Sequence, residues 1–418
     1  MFRILADAWK IHDLKRKILY TILLLIIFRI GSHIPVPFVD KQKLDQLFGG
    51  DSNTLFGLAN IVSGRALQQA TIFAMSITPY INASIIMQLL TVAIPALERL
   101  AKEGEEGRKV IGQWTRYVTV VLAFVQAAGL YIGIADPAQK GALTFFTIVM
   151  PFTAGTAFLM WLGEQINEKG IGNGISLIIF AGILSGAPAG INAVIASKTN
   201  YFLLALMVII ALAVVAFIVL MNNAERRIPV QYAKRVVGRK MYGGQSTHIP
   251  IKVAMAGVMP IIFAVSLMAF PATVAQMFGK TAASAGFWGG FVKFVSPGNV
   301  MYSIIYFILI VLFTFFYTEI QFNPIEIANN MKNNGGFVPG IRPGRPTSDF
   351  IRMILSRITL IGAVFIALIA VMPTLLTSIN PAFAFGGTSL LIVVGVALET
   401  VKQLESQMLM RHYKGFLE

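Results

Sequence analysis

The sequence predicts an all-α polytopic membrane protein, with ten transmembrane helices arranged as two inverted five-helix halves. Three observations predict it. First, 56% of the 418 residues are hydrophobic and only 13% are charged, against about 25% charged in soluble domains; mean hydropathy is +0.73. Second, the apolar residues gather into ten runs, roughly 18–34, 70–95, 114–134, 146–163, 174–195, 202–221, 253–271, 301–319, 353–376 and 386–404. Each is near or above the roughly 17–20 residues a helix needs to cross hydrocarbon, where helices satisfy their own backbone groups. The alternating polar residues of a membrane barrel are absent. Third, the charge is unevenly placed along the chain.

Formal net charge is +15. The segment Asn222 to Lys252 alone holds Arg226, Arg227, Lys234, Arg235, Arg239, Lys240 and Lys252, with Glu225 its only acid. A basic segment between membrane-length apolar runs stays on the cytoplasmic side. The outer segments carry only Lys41, Lys43, Arg65, Lys140, Lys198, Lys280 and Lys293, and Arg29 alone is read as lying within a span. An even span count then puts both termini inside. Each half holds five spans, and an odd number inverts the second half relative to the first. The predicted organisation is an N-terminal half over 1–200, a sixth helix over 201–222, and a basic cytoplasmic loop over 223–252. Helices seven to ten follow over 253–404, with a cytoplasmic loop at about 320–352, and then a cytoplasmic tail over 405–418.

Taken in order, Arg3, Lys10, Lys15, Arg16 and Lys17 precede the first run. No small-residue cleavage pattern follows, so this run is expected to be a retained span rather than a signal peptide. Between the first two spans, Thr54 to Gly64 (TLFGLANIVSG) is apolar but too short to cross. It reads either as an interfacial helix or as a short re-entrant element enclosed by protein. The second span carries Thr78, Asn82, Ser84, Gln88 and Thr91, with Pro79 read as internal. Positions 77, 81, 84 and 88 share one helical face. That face is either a bundle stripe with interhelical hydrogen bonds or a pore wall, a dry neck beside wetter chambers.

Pro95 ends this span and a charged connection follows from Glu98. The glycines Gly170, Gly172 and Gly174 superficially suggest a phosphate loop. No strand precedes them and no Lys-Ser/Thr pair follows, so a tight turn is expected, with Asn173 as helix cap. Pro260 and Pro271 are expected to punctuate and terminate the seventh span, and the second cytoplasmic loop presents Arg342 and Arg345 on glycine and proline turns.

Catalytic and coupling chemistry find little support. Cys is absent, and the four His are scattered at positions 12, 33, 248 and 412. Carboxylate pairs are missing from the spans, which disfavours proton-coupled transport, and no charged ring supports ion selectivity. A conduit or scaffold with basic docking loops remains.

Six stretches resemble the bacterial SecY family, the central subunit of the Sec protein-conducting channel (translocon). They are FRIGSHIPVP at Phe28, TPYINASIIMQLLT at Thr78, MWLGEQINEKGIGNGISLIIFAGI at Met160, QSTHIPIKVAMAGVMP at Gln245, FNPIEIANNMKNNGGFVPGIRPG at Phe322 and FGGTSLLIVV at Phe385. The resemblance implies a clamshell of two halves around a central pore. It places the pore ring on Ile77, Ile81, Ile175, Ile179, Ile262 and Ile392. It places the plug on Leu55, Phe56, Gly57, Leu58, Ala59, Asn60, Ile61, Val62, Ser63 and Gly64. Spans two and seven, with three and eight beside them, resemble the lateral gate that releases transmembrane segments into lipid. Partner docking is implied for Arg226, Arg227, Lys234, Arg235, Arg239, Lys240, Arg342 and Arg345.

The implied partners are a SecE-like clamp subunit, a SecG-like subunit, a SecA-like ATPase motor, and a ribosome with rRNA contact. Signal sequences, nascent polypeptides and membrane lipid complete the set. The implied location is the bacterial inner membrane; no cofactor or metal is expected, and no enzymatic activity. Two competing readings are a secondary transporter with inverted halves and an insertion scaffold without a continuous pore.

Overall fold

The computed structural model describes residues 2–40, 63–64, 66–134, 141–196, 201–232, 235–237, 240–242, 246–277, 290, 299–377 and 387–414. The helices are α1 (Phe2–Lys10), α2 (His12–Gly31), α3 (Thr78–Ala93), α4 (Pro95–Lys102), α5 (Glu105–Ile134), α6 (Ala142–Lys169), α7 (Gly174–Ala196) and α8 (Tyr201–Asn223). Strands β1 (Glu225–Tyr232), β2 (Arg235–Val237), β3 (Lys240–Tyr242) and β4 (Ser246–Lys252) follow. After them come α9 (Met259–Met277), α10 (Val300–Gln321), α11 (Pro324–Asn333), β5 (Gly336–Phe337), α12 (Arg345–Thr377) and α13 (Gly387–Lys414).

Each apolar run of the sequence coincides with a helix: α2, α3, α5, α6, α7, α8, α9, α10, α12 and α13 in order. Among the described residues, helices in α5, α6, α10 and α12 are long and apolar enough to cross a membrane. The pair α3 and α4 passes the same test together but is bent by 101°. Side chains such as Leu143, Leu212, Leu220 and Leu312 are exposed, an outward surface suited to lipid. Hydroxyls within the helices bond back one turn, as from Thr119 to the Thr115 carbonyl (2.7 Å) and Thr314 to the Ile310 carbonyl (2.6 Å). These threonine hydroxyls therefore reach the interior already satisfied. The chain is an all-α polytopic membrane protein with a small appended sheet.

The seventh span begins as helix only at Met259 and runs on through Pro271 to Met277 instead of ending at that proline. The start of the second span also differs from the sequence reading. The second span begins as helix only at Thr78, after consecutive turns over 66–77. Pro79 consequently lies in the first turn rather than inside the helix; its missing N–H costs nothing there, because that donor has no intrahelical partner. At the other end Ile94 is extended (φ −107°, ψ 114°) before Pro95, as steric conflict with a following proline favours. The charged connection then runs perpendicular as α4.

The main apolar core joins α2, α3, α6, α7, α9, α10, α12 and α13 through residues such as Phe28, Leu159, Ile178, Ile261, Ile310, Ile366 and Ile392. A second cluster packs Val36, Leu67 and Ala70 against Ala127, Ile148 and Phe152. Close backbone approach sets the turn from α6 into α7: a Cβ at Gly174 would overlap the Gly163 carbonyl.

The basic loop of the sequence is a sheet. β1 pairs antiparallel with β4 from Glu225↔Lys252 to Gln231↔Ser246. β5 then joins the free edge of β1 through Gln231↔Phe337 and Tyr232↔Gly336. Ile228, Val230 and Ile251 form its underside, buried against Met331, Val338, Ile351 and Leu355.

Replacing Gly174 with Ala forces a methyl onto backbone that cannot yield, and should lower stability by about 1–3 kcal/mol. Gly186→Ala, where a Cβ meets nothing within 4 Å, should leave it within about 0.5 kcal/mol of wild type. Thermal unfolding of both variants in one detergent checks this; equal melting temperatures would refute the packing argument.

Candidate pore ring and docking surface

Four elements bring the six isoleucines into one cluster. Ile77 occupies the N-cap of α3 and Ile81 follows one turn later, its amide donating to the Ile77 carbonyl at 3.1 Å. Ile175 and Ile179 stand one turn apart at the start of α7, Ile262 lies in the first turn of α9, and Ile392 lies on α13. Ile77, Ile81, Ile179, Ile262 and Ile392 are 0%, 4%, 1%, 6% and 3% exposed. Ile175 is half-buried and packs on the same cluster. Residues far apart in sequence, on four elements, therefore belong to one apolar core. Branching at Cβ stiffens each side chain, and burying each from water stabilises by about 1.5–3 kcal/mol.

Local chemistry explains the positions. Asn173 caps α7 by accepting from the Ser176 amide at 3.3 Å, and Asn167 Oδ1 accepts from the Gly174 amide at 2.7 Å. Both bonds fix the first turn of α7, where Ile175 and Ile179 begin. Gly172 takes a left-handed φ of 90°, so the glycines serve the turn rather than a phosphate. On α3 the face continues from buried Ile77 and Ile81 to half-buried Ser84 and Gln88. Gln88 Oε1 and Ser176 Oγ are buried without a hydrogen-bond partner among the described residues, so polar groups border the dry cluster.

Helix α9 packs against α3, α5 and α10, the four elements that the sequence reading grouped as a gate. These helices bury the polar residues Asn82, Thr119, Gln126 and Ser266, and Tyr302 stacks on Tyr306 at 5.8 Å.

Of the plug positions, Leu55 to Val62 lie outside the described residues. Ser63 is buried and its hydroxyl accepts from the Leu67 amide at 3.4 Å. Gly64 (φ 65°) sits on α7, where a Cβ would approach the Gly182 carbonyl and Ser185 Oγ at 2.7 Å. The end of the predicted plug thus touches the helix that bears Ile175 and Ile179.

The basic positions divide. Arg226 and Arg227 are exposed on β1, and Arg227 pairs with Glu225 at 2.7 Å. Arg342 and Arg345 are exposed near Gly340 (φ 82°) and Gly344 (φ 100°), on the turn that leads into α12. Through β5 both loops belong to one sheet. Arg235 and Lys240 lie on β2 and β3, whereas Lys234 and Arg239 fall outside the described residues.

The sequence reading missed two charged contacts. Arg116, inside the third predicted span, pairs with Glu164 of α6 at 2.8 Å, so Arg29 is not alone within a span. Lys402 of α13 donates to the Asn222 carbonyl at 2.8 Å, where the last turn of α8 favours a cation. The signal for both was present: a cation and an acid near the ends of neighbouring apolar runs, and a lysine within the tenth.

A family model described as SecY matches residues 71–401. The protein translocase subunit SecY of Halalkalibacterium halodurans is 45% identical, covering 100% of this chain and 100% of its own length. A solved protein-conducting channel shares the fold, with a TM-score of 0.67 at 21% identity, covering 94% of this chain and 92% of that one. The channel in the canine ribosome-channel complex from the endoplasmic reticulum does so at 0.63 and 20% identity, covering 94% and 92%. Matched end to end with such relatives and by the family model over most of its length, this chain belongs to the SecY family.

Proposed function

We infer that this SecY-family chain conducts unfolded secretory polypeptides through the isoleucine cluster and releases transmembrane segments between α3 and α9. Family membership makes it a channel subunit and no enzyme. The observation that carries the pathway is that Ile77, Ile81, Ile179, Ile262 and Ile392, from four elements, lie in one buried apolar core with Ile175 packed against it. A narrow apolar neck excludes water and ions while closed. It also grips no sequence, because apolar contact is non-directional, and so it suits varied substrates. Both the cluster and the border of polar groups support a dry neck between wetter chambers.

On this reading ten helices cross the bacterial inner membrane as two inverted halves, with both termini cytoplasmic and the segment 55–64 as plug. SecE-like and SecG-like subunits brace the halves. SecY-type channels generally work with such subunits, with SecA and with ribosomes. Here the β4-β1-β5 sheet and the Arg342 turn serve as the shared docking surface for a SecA-like motor and for the ribosome. Its exposed arginines suit rRNA phosphates, whose neutralisation is sequence-independent and salt-sensitive.

Three experiments test this reading. A photocrosslinking residue at Ile81 should capture a stalled, half-translocated secretory precursor, whereas one at exposed Leu89 on the same helix should not. Capture at Leu89 alone would make the chain an insertion scaffold without a central pore. Ile179→Ser should raise resting ion conductance at least about fivefold, since a hydroxyl wets an apolar constriction; unchanged conductance in planar bilayers would remove the ring. Arg226→Glu with Arg342→Glu should weaken ribosome binding at least about tenfold and flatten its salt dependence. Titrations across a salt series read this, and a slope equal to wild type would place docking elsewhere.

A further inference from the structure

The turn leading into α3 contains a residue in an unfavourable conformation. Ser76 has φ 51°, the left-handed region. For an L-residue that conformation is disfavoured by roughly fivefold to thirtyfold. Its side chain is 2% exposed, and its hydroxyl has no hydrogen-bond partner among the described residues. Backbone and side chain thus count independently against this arrangement.

The surroundings impose it. Phe73 fits against Gly31 of α2, and the Ile72 carbonyl fits against Gly155 of α6; a Cβ at either glycine would overlap them. Phe73 also stacks between Phe28 (6.1 Å) and Phe158 (6.0 Å). The Ile72 amide donates to the Ile34 carbonyl at 3.1 Å, and the Ser76 amide to the Phe73 carbonyl at 2.8 Å. Residues 71–74 are therefore clamped on one side, while Ile77 is held in the isoleucine cluster on the other. Strain of this kind persists only where neighbouring contacts over-determine it. Ser76 is the joint between the two. Any movement of α3 relative to the clamped turn rotates the backbone there.

We propose that Ser76 is a preloaded joint, which raises the free energy of the arrangement with the six isoleucines packed together and so biases the neck toward opening. The inference rests on the reading of the isoleucines as the closed neck. Glycine adopts φ 51° without steric cost, so Ser76→Gly removes both penalties in the packed arrangement. Ser76→Ala removes the hydroxyl but keeps the backbone penalty.

The test uses the full chain reconstituted with its partner subunits in planar bilayers, with Ile179→Ser measured alongside. Ser76→Gly should lower resting conductance by about tenfold, and Ser76→Ala should lower it less. Conductance of Ser76→Gly at or above wild type, while Ile179→Ser raises it, would overturn the proposal and leave the ring standing. If Ile179→Ser fails to raise conductance, the ring reading fails and the joint falls with it.

Discussion

Inside hydrocarbon every backbone N–H and C=O must find its partner within the protein, and the whole architecture depends on that constraint. Helices meet it unaided. The stretch over 66–77 does not, because it is irregular and largely buried. Its amides are answered singly: Thr71 donates to Ala66, Ile72 to Ile34 and Ala74 to Thr71, while the Ala70 carbonyl accepts from Val36. Glycines on α2 and α6 let this turn in, and Phe28, Phe73 and Phe158 stack around it. Protein rather than lipid encloses it, and so it persists.

On the proposed reading, the same constraint explains why the neck is built of isoleucine side chains. A neck made of backbone would carry donors and acceptors that need replacement partners whenever it opened, each at about 1–3 kcal/mol. Isoleucine side chains carry none. Separating them costs only apolar contact, which grows smoothly with the area exposed and is recovered against any apolar segment that enters. Polar Gln88 and Ser176 border the cluster without joining it. The irregular turn and the proposed ring are therefore opposite solutions: hydrogen-bonded backbone where position must hold, branched apolar side chains where, on that reading, contact must yield.

Much of this was legible in the sequence because membrane helices announce themselves by length and composition. Every apolar run became a helix, and the turn capped by Asn173 followed from its glycines and the absence of a strand. Other features escaped for physical reasons. The start of α3 was misplaced because IFAMSI at Ile72 to Ile77 is as apolar as a helix; packing against Gly31 and Gly155 decides its conformation, and neither is near in sequence. β5 is two residues long and pairs with a strand about a hundred positions earlier, beyond any local pattern. Ser76 looks ordinary until its φ is known. The six isoleucines became a set through family resemblance; periodicity alone linked only the pairs on α3 and α7.

The appended sheet makes one body of the two loops proposed to dock partners. Arg226 and Arg342 stand on loops separated by more than the length of two spans, yet β5 makes those loops one body with a shared core of Ile228, Ile251, Met331 and Ile351. On the proposed reading, a partner that touches either loop meets one folded body. The body is joined to the bundle at its base, where the Val253 amide donates to the Ala224 carbonyl at 2.9 Å and Lys402 reaches the adjoining Asn222 carbonyl. Lys402 lies on α13, ten residues beyond Ile392, or about 15 Å along a helix. The sheet is therefore one folded body with its own core, joined to the bundle where α8 meets α13.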